Sequence, residues 1–244
     1  MTTIVSAFIS NVNLRKDRDI TTYYSLGKCL LQSTTPKIIF LDETMYNLIV
    51  ENTEYNKDNT YLIKYNKENI YLYDFIHQLT HFSLDTDNPC KDTIEYMFAM
   101  CSKTEFMREA ITADPFQSKN FIWVDFGIRH VFTCSDTMFI EKLNHLHTKQ
   151  YNKVRIASIW DLKQIYRTDL MKQISWYFAG GVFGGDHRSL LEFADLMKIK
   201  CIQIMNTYHT IVWEVNIWYM IYRENPELFE PYKCNHTNTI IENY

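Results

Sequence analysis

Two short stretches of this 244-residue sequence hold residue types suited to chemistry: Asn120-Phe121-Ile122-Trp123-Val124-Asp125-Phe126-Gly127 and the glycine cluster from Gly180 to Gly185. Four successive apolar residues before Asp125 fit a fully buried strand that delivers a carboxylate at its C-terminal end. Open parallel sheets bind their ligands at that end. A carboxylate there can hold a divalent cation bridging a diphosphate, or a ribose hydroxyl, and Gly127 leaves room for the ligand. The alternative is an aspartate that caps the next turn. Asp125-Phe126-Gly127 also spells the kinase triplet, but the sequence has neither the glycine-rich loop before it nor a His-Arg-Asp catalytic loop.

The chain has 6 glycines, and four are Gly180, Gly181, Gly184 and Gly185. Such clustering in a glycine-poor sequence signals positive φ or close approach to the backbone. A nucleotide P-loop is excluded because no Gly-Lys-Ser/Thr follows, and the spacing is not that of the dinucleotide fingerprint. A bulged strand with a tight turn, and a substrate-facing turn, both remain open. In Thr210 to Tyr219, Glu214 and Asn216 lie among bulky apolar groups. A carboxylate among aromatics can serve as base or nucleophile. Spacing alone favours an amphipathic helix with Trp213 and Ile217 inward and Glu214 in solvent.

The remaining polar candidates carry weaker signals. His77 and His81 have helical i, i+4 spacing without the intervening glutamate of a metalloprotease motif. His130 follows Arg129 just beyond Asp125, within reach of phosphates there, and His236 becomes a ligand only if the C-terminal segment folds back. Lys103 and Arg129 are the candidate cations for offsetting diphosphate charge.

The elements that must position these residues alternate. Ile4 to Phe8 reads as a strand, Ser10 to Arg18 as a polar loop, Ile20 to Leu31 as a helix and Lys37 to Leu41 as a second strand. Thr44 to Val50 reads as a helix and Thr60 to Lys64 as a third strand. That rhythm indicates a mainly parallel sheet with crossover helices. One helix is expected from Lys91 to Ile111 behind the turn Asp87-Asn88-Pro89. Further strands are expected at Asn120 to Asp125 and Val154 to Ile159. Trp176 to Gly185 should pass from an aromatic strand into a glycine-rich turn, followed by a helix to Lys198. Ile202 to Met205 reads as a last strand and Trp213 to Tyr222 as a helix. With no repeat or linker, residues 1–244 read as one domain.

Composition narrows the function classes. The net charge of −4, with Lys and Arg scattered, argues against a general nucleic-acid binder. The six cysteines lie far apart without metal-ligand spacing and are expected to be small core residues. No secretory leader pattern opens the sequence, and no apolar run approaches the ~20 residues of a membrane span. A reduced cytoplasmic protein is the expectation. Trp- and Tyr-rich segments near the C-terminus are compatible with a homodimer, and the aromatic surplus with exposed patches.

The strings Phe121 to His130, Ile159-Trp160-Asp161-Leu162, Trp176 to Gly185 and Trp213 to Trp218 resemble the HtrL/YibB (WlaTC-like) proteins, associated with bacterial surface-polysaccharide loci and found in large DNA viruses. The resemblance runs nearly end to end. A more distant similarity is to GT-A glycosyltransferases, in which a buried strand ends in Asp-x-Asp, a glycine-rich turn follows, and then an acidic helix. Phe183-Gly184-Gly185 and Trp213-Glu214 follow that order. This resemblance implies an α/β, GT-A-like domain with a mainly parallel central sheet flanked by helices. It implies transfer of a sugar from a nucleotide-diphosphate donor such as a UDP-sugar to a glycan or other acceptor. By the same resemblance Ala7 and Phe8 flank the nucleotide base, Trp123 and Asp125 lie at the donor, and Gly180 to Gly185 face donor and acceptor. Glu214 is the candidate catalytic carboxylate, with Asn216 beside it. Gly127 stands where the pattern has its second aspartate, usually a direct metal ligand. Mn²⁺ or Mg²⁺ would then depend on Asp125 and a distant ligand such as His236. A catalytically degenerate nucleotide- or carbohydrate-binding protein of the same fold is the alternative.

Overall fold

In a computed structural model, which describes residues 1–13, 18–52 and 55–244, seven strands form one sheet in the order β3-β2-β1-β4-β6-β5-β7. They are β1 (Thr2–Phe8), β2 (Lys37–Leu41), β3 (Thr60–Lys64), β4 (Asn120–Val124), β5 (Val154–Ser158), β6 (Phe178–Asp186) and β7 (Phe229–Lys233). β1, β2, β3 and β4 are parallel to their neighbours among themselves, β5 is parallel to β7, and β6 runs antiparallel to both β4 and β5. The helices are α1 (Ser10–Asn13), α2 (Ile20–Gln32), α3 (Glu43–Asn52), α4 (Ile94–Cys101), α5 (Lys103–Ala113), α6 (Asp136–His145), α7 (His187–Tyr208), α8 (Glu214–Glu224) and α9 (Thr239–Glu242). The expected α/β class with a mainly parallel sheet flanked by helices is what the chain adopts. Of the expected polar loop from Ser10 to Arg18, residues 10–13 form α1, and 14–17 lie outside the described residues.

Strand composition explains the layering. Side chains of a strand alternate between faces, and here both faces are covered. Ile38, Phe40, Phe121 and Trp123 enter one core, and Ile39, Leu41, Ile122 and Val124 enter the other. Continuous apolar runs such as Ile38 to Leu41 are the consequence, as in other buried parallel strands.

Three expectations change, and one strand was not expected. The helix drawn from Lys91 to Ile111 is two, α4 and α5, meeting at Ser102, whose φ/ψ of −88°/0° turns the chain. Thr93 caps α4 by accepting a hydrogen bond from the Tyr96 amide. Residues 202–205 are not a strand but part of the 22-residue α7, because Leu190, Phe193, Met197, Cys201 and Ile204 form a helical apolar stripe. The glycine-rich segment is not a turn: Gly180 to Gly185 lie within β6, and no glycine has positive φ among the described residues. Finally, β7 was not legible, since Phe229-Glu230-Pro231-Tyr232-Lys233 is short and carries a proline. As an edge strand beside β5 it tolerates the missing amide.

Core polarity supplies a testable feature. Lys37 at the start of β2 is fully buried, and its Nζ donates to Ser33 O (2.8 Å), Asn59 Oδ1 (3.1 Å) and Thr60 Oγ1 (3.3 Å). Burial lowers its pKa from 10.5 to about 7. Between those values the unfolded chain binds more protons, so stability rises with pH through that window. The slope from this group is at most about 1.4 kcal/mol per pH unit. Urea denaturation of Lys37→Met between neutral and alkaline pH should lack this contribution; a pH dependence identical to that of the unaltered chain would refute it.

Cys29, Cys101, Cys201 and Cys234 are buried as expected, whereas Cys90 is exposed. Trp213, Trp218 and Tyr219 are buried in the chain's own core, so this aromatic cluster offers no exposed patch to a second copy. Among the described residues, no helix is long and apolar enough to cross a membrane.

Candidate active site

β1 has β2 on one side and β4 on the other, which makes the β1/β4 boundary a switch point of the sheet, with a crevice at the strands' carboxyl ends. A cavity of about 350 Å³ lies there, lined by Ala7 and Phe8 from the end of β1 and Trp123 and Asp125 from the end of β4. That volume suits a small ligand.

At its wall four elements converge on one cation. Lys103, the first residue of α5, donates from Nζ to Asp125 Oδ1 (2.9 Å), Glu214 Oε1 (3.0 Å) and the carbonyl of Gly180 (2.9 Å). Burial pulls the Lys103 pKa down, but Asp125 and then Glu214 outweigh it and raise the pKa above the ordinary value. The side chain is therefore an ammonium at neutral pH. Asp125 Oδ1 also accepts the Trp123 indole N–H at 2.6 Å; the two residues share a face of the chain, two positions apart. Trp123 is held between Phe106 and Phe183, with ring centroids 6.0 and 6.3 Å away. Glu214 opens α8, where the helix dipole favours a negative charge. It is buried rather than solvated, contrary to the arrangement that spacing favoured.

The glycines now divide by position. A Cβ on Gly180 would stand 2.3 Å from Glu214 Oε1 and 3.3 Å from Lys103 Nζ, so the missing side chain lets the ion cluster reach the strand. Gly181 lines the cavity, and its carbonyl accepts the Asp125 amide. Gly184 and Gly185 do not line it. Their absent side chains make room for Tyr244 and the Phe121 carbonyl, and for Ser189 and the Lys153 carbonyl, so they are packing positions and not part of a substrate turn.

Two further expectations fail on hydrogen bonding. Asn216 is fully buried: its Oδ1 accepts the Ser175 amide, and its Nδ2 donates to Leu170 O and Gln173 O, all at 2.8 Å. It anchors a loop and does not line the cavity. Arg129 binds Asp136 (2.7 Å) and the carbonyls of Phe132 (2.8 Å) and Cys134 (2.7 Å), tying down the start of α6, and it too lies outside the cavity lining. The cations that line the cavity with Lys103 are Arg18 and Lys91, with His130 beside them.

Residues 1–237 match the family described as "Bacterial protein of unknown function (HtrL_YibB)". The chain belongs to the HtrL/YibB family. No curated protein matches it. Among solved structures this HtrL/YibB chain is similar to mouse xyloside xylosyltransferase 1, at 13% identity over 96% of this chain and 86% of that one, with a TM-score of 0.47. It is similar to the galactosyltransferase LgtC in complex with donor and acceptor sugar analogues, at 13% identity over 94% and 72% of the two chains, TM-score 0.47. A third likeness is to a glycosyltransferase involved in glycosylation of the major capsid of PBCV-1, at 12% identity over 95% and 81%, TM-score 0.40.

Asp125 and His236, the expected ligands of Mn²⁺ or Mg²⁺, make a poor pair in the HtrL/YibB site. Asp125 and His236 line the same cavity, but among the described residues no group of three or more His, Cys, Asp or Glu comes together to hold a metal. His236 packs its ring edge-on against Trp176, centroids 4.3 Å apart, and burial lowers its pKa. At position 127 a Cβ would stand 3.1 Å from the Tyr23 ring, so aromatic surface crowds the place of the second aspartate. The cation beside Asp125 is Lys103. Arg18, Lys91 and Tyr96 line the cavity, but sequence reasoning gave them no role because nothing in their spacing marks them. Trp176 and Trp213 also line it; they lay in the family strings, but without a role.

Proposed function

We propose that the chain binds a nucleoside-diphosphate sugar in the cavity at the ends of β1 and β4 and transfers the sugar to a hydroxyl of a glycan or other acceptor. The observation that carries this reading is the buried Lys103–Asp125–Glu214 cluster at the switch point, opening on a cavity walled by aromatic rings and further cations. Phe8 and Tyr23, with ring centroids 4.7 Å apart, give a base an apolar surface to lie on. Lys91 and Arg18, which line the cavity, would bring positive charge for a diphosphate, and Asp125 on the same wall would take a ribose hydroxyl or the sugar. In the transfer the C1–O bond to the β-phosphate breaks with its electron pair remaining on the diphosphate. A bond forms from C1 to the acceptor oxygen, and the acceptor's hydroxyl proton passes to a carboxylate, for which Glu214 is the candidate.

Calorimetry with UDP and GDP, with and without Mn²⁺, tests the binding step. One nucleoside diphosphate should bind per chain, and Asp125→Ala should weaken it at least about tenfold, the loss of about 1.4 kcal/mol. Absence of binding by every nucleoside diphosphate, together with unchanged behaviour of the variant, would defeat the proposal. Donor binding without transfer or hydrolysis across a broad sugar panel would instead select a binding protein that has lost catalysis.

A further inference from the structure

We propose that the Lys103 ammonium is the resident cation of this site, occupying the oxygens of Asp125, Glu214 and the Gly180 carbonyl that would otherwise be offered to a divalent metal, so that donor binding needs no metal. The inference rests on the reading above for the ligand's identity, but its core concerns the chain alone.

Two carboxylate oxygens and a backbone carbonyl around one point form a donor set suited to a hard divalent ion. Here that point is Nζ of Lys103, within 2.9–3.0 Å of all three oxygens. An ammonium has three N–H donors, and this one has three acceptors, so its donors are matched. The lysine is 1% exposed and held charged by its carboxylates. A divalent ion entering beside it would meet a buried positive charge. It would also have to compete for Asp125 Oδ1 with both Lys103 and the Trp123 indole. Position 127 supplies no second carboxylate, and the Tyr23 ring stands against it.

Because its donors are engaged, Lys103 acts as a positioning residue. It holds an oxygen of Asp125 and one of Glu214 on a single atom, and so sets the spacing of the two carboxylates at the cavity wall. The cluster carries one positive and two negative charges, leaving the diphosphate to the other cations of the cavity, Lys91 and Arg18.

The test is Mn²⁺ binding followed by electron paramagnetic resonance, on the full chain. The native protein should leave the signal of the free ion undiminished, and UDP should bind equally well in EDTA and in Mn²⁺. Lys103→Ala should gain one bound Mn²⁺ per chain, lost again in Lys103→Ala combined with Glu214→Gln. A native chain that takes up one Mn²⁺ and loses it on Asp125→Asn would overturn the inference. So would UDP binding that requires Mn²⁺, or a folded Lys103→Ala that takes up none. If Lys103→Ala fails to fold, the native measurements decide alone. If no nucleoside diphosphate binds at all, the proposed function fails while the Mn²⁺ titration still decides the cation.

Discussion

Replacing Lys103 with methionine is expected to destabilise the fold by about 3–5 kcal/mol, the usual cost of removing one partner from a buried ion pair. The side chain is similar in length, so little of this is cavity formation. The cost arises because Asp125 and Glu214 would share a site with no cation, Glu214 being buried. The native contribution has a definite pH window: the folded pKa of Lys103 is raised, so its stabilisation is fully present below the ordinary lysine range and is lost as pH climbs through the folded value. Urea midpoints at neutral pH and above the ordinary lysine range check both statements. A midpoint within error of the native one at neutral pH would show that the cluster contributes nothing to the fold.

The second large effect is expected at Glu214. Glu214→Gln keeps the shape and a hydrogen-bond acceptor for Lys103 but removes the base. Transfer or donor hydrolysis should fall about 10²–10⁴-fold, the range typical of positioned proton transfer. Donor affinity should stay within about threefold, under 1 kcal/mol. The split matters. An equal loss of binding and turnover would assign Glu214 to holding Lys103, and undiminished turnover would remove it from the reaction.

Much of the scaffold was legible because its signals are local. Lys37–Leu41 and Thr60–Lys64 were read with their observed bounds, since short β-branched and apolar runs between turn residues leave little choice of element. Asp125 was legible for the same reason: a buried strand must end somewhere, and the first carboxylate after it marks the place. What escaped depends on partners distant in sequence. Asn216 and Arg129 looked available because nothing nearby shows that Ser175, Leu170 and Gln173, or Asp136 and two carbonyls, would occupy them. Glu214 looked solvated because helical spacing does not reveal that Lys103, 111 residues earlier, would be buried against it. For the glycines, positive φ in a turn and close approach to the backbone were both open. In β6 close approach is the one that holds, of an ion cluster at Gly180 and of neighbouring backbone and Tyr244 at Gly184. The break at Ser102, which sets Lys103 at the head of α5 facing the cavity, left no mark in a periodic apolar pattern.

The most direct test of the account is a crystal structure of the chain soaked with a UDP-sugar and Mn²⁺. The diphosphate should lie at the carboxyl ends of β1 and β4, the base near Phe8 and Tyr23, and Lys103 should remain between Asp125 and Glu214 with no metal joining Asp125 to the phosphates. A nucleotide bound elsewhere, or a Mn²⁺ bridging Asp125 and the diphosphate with Lys103 displaced, would contradict it.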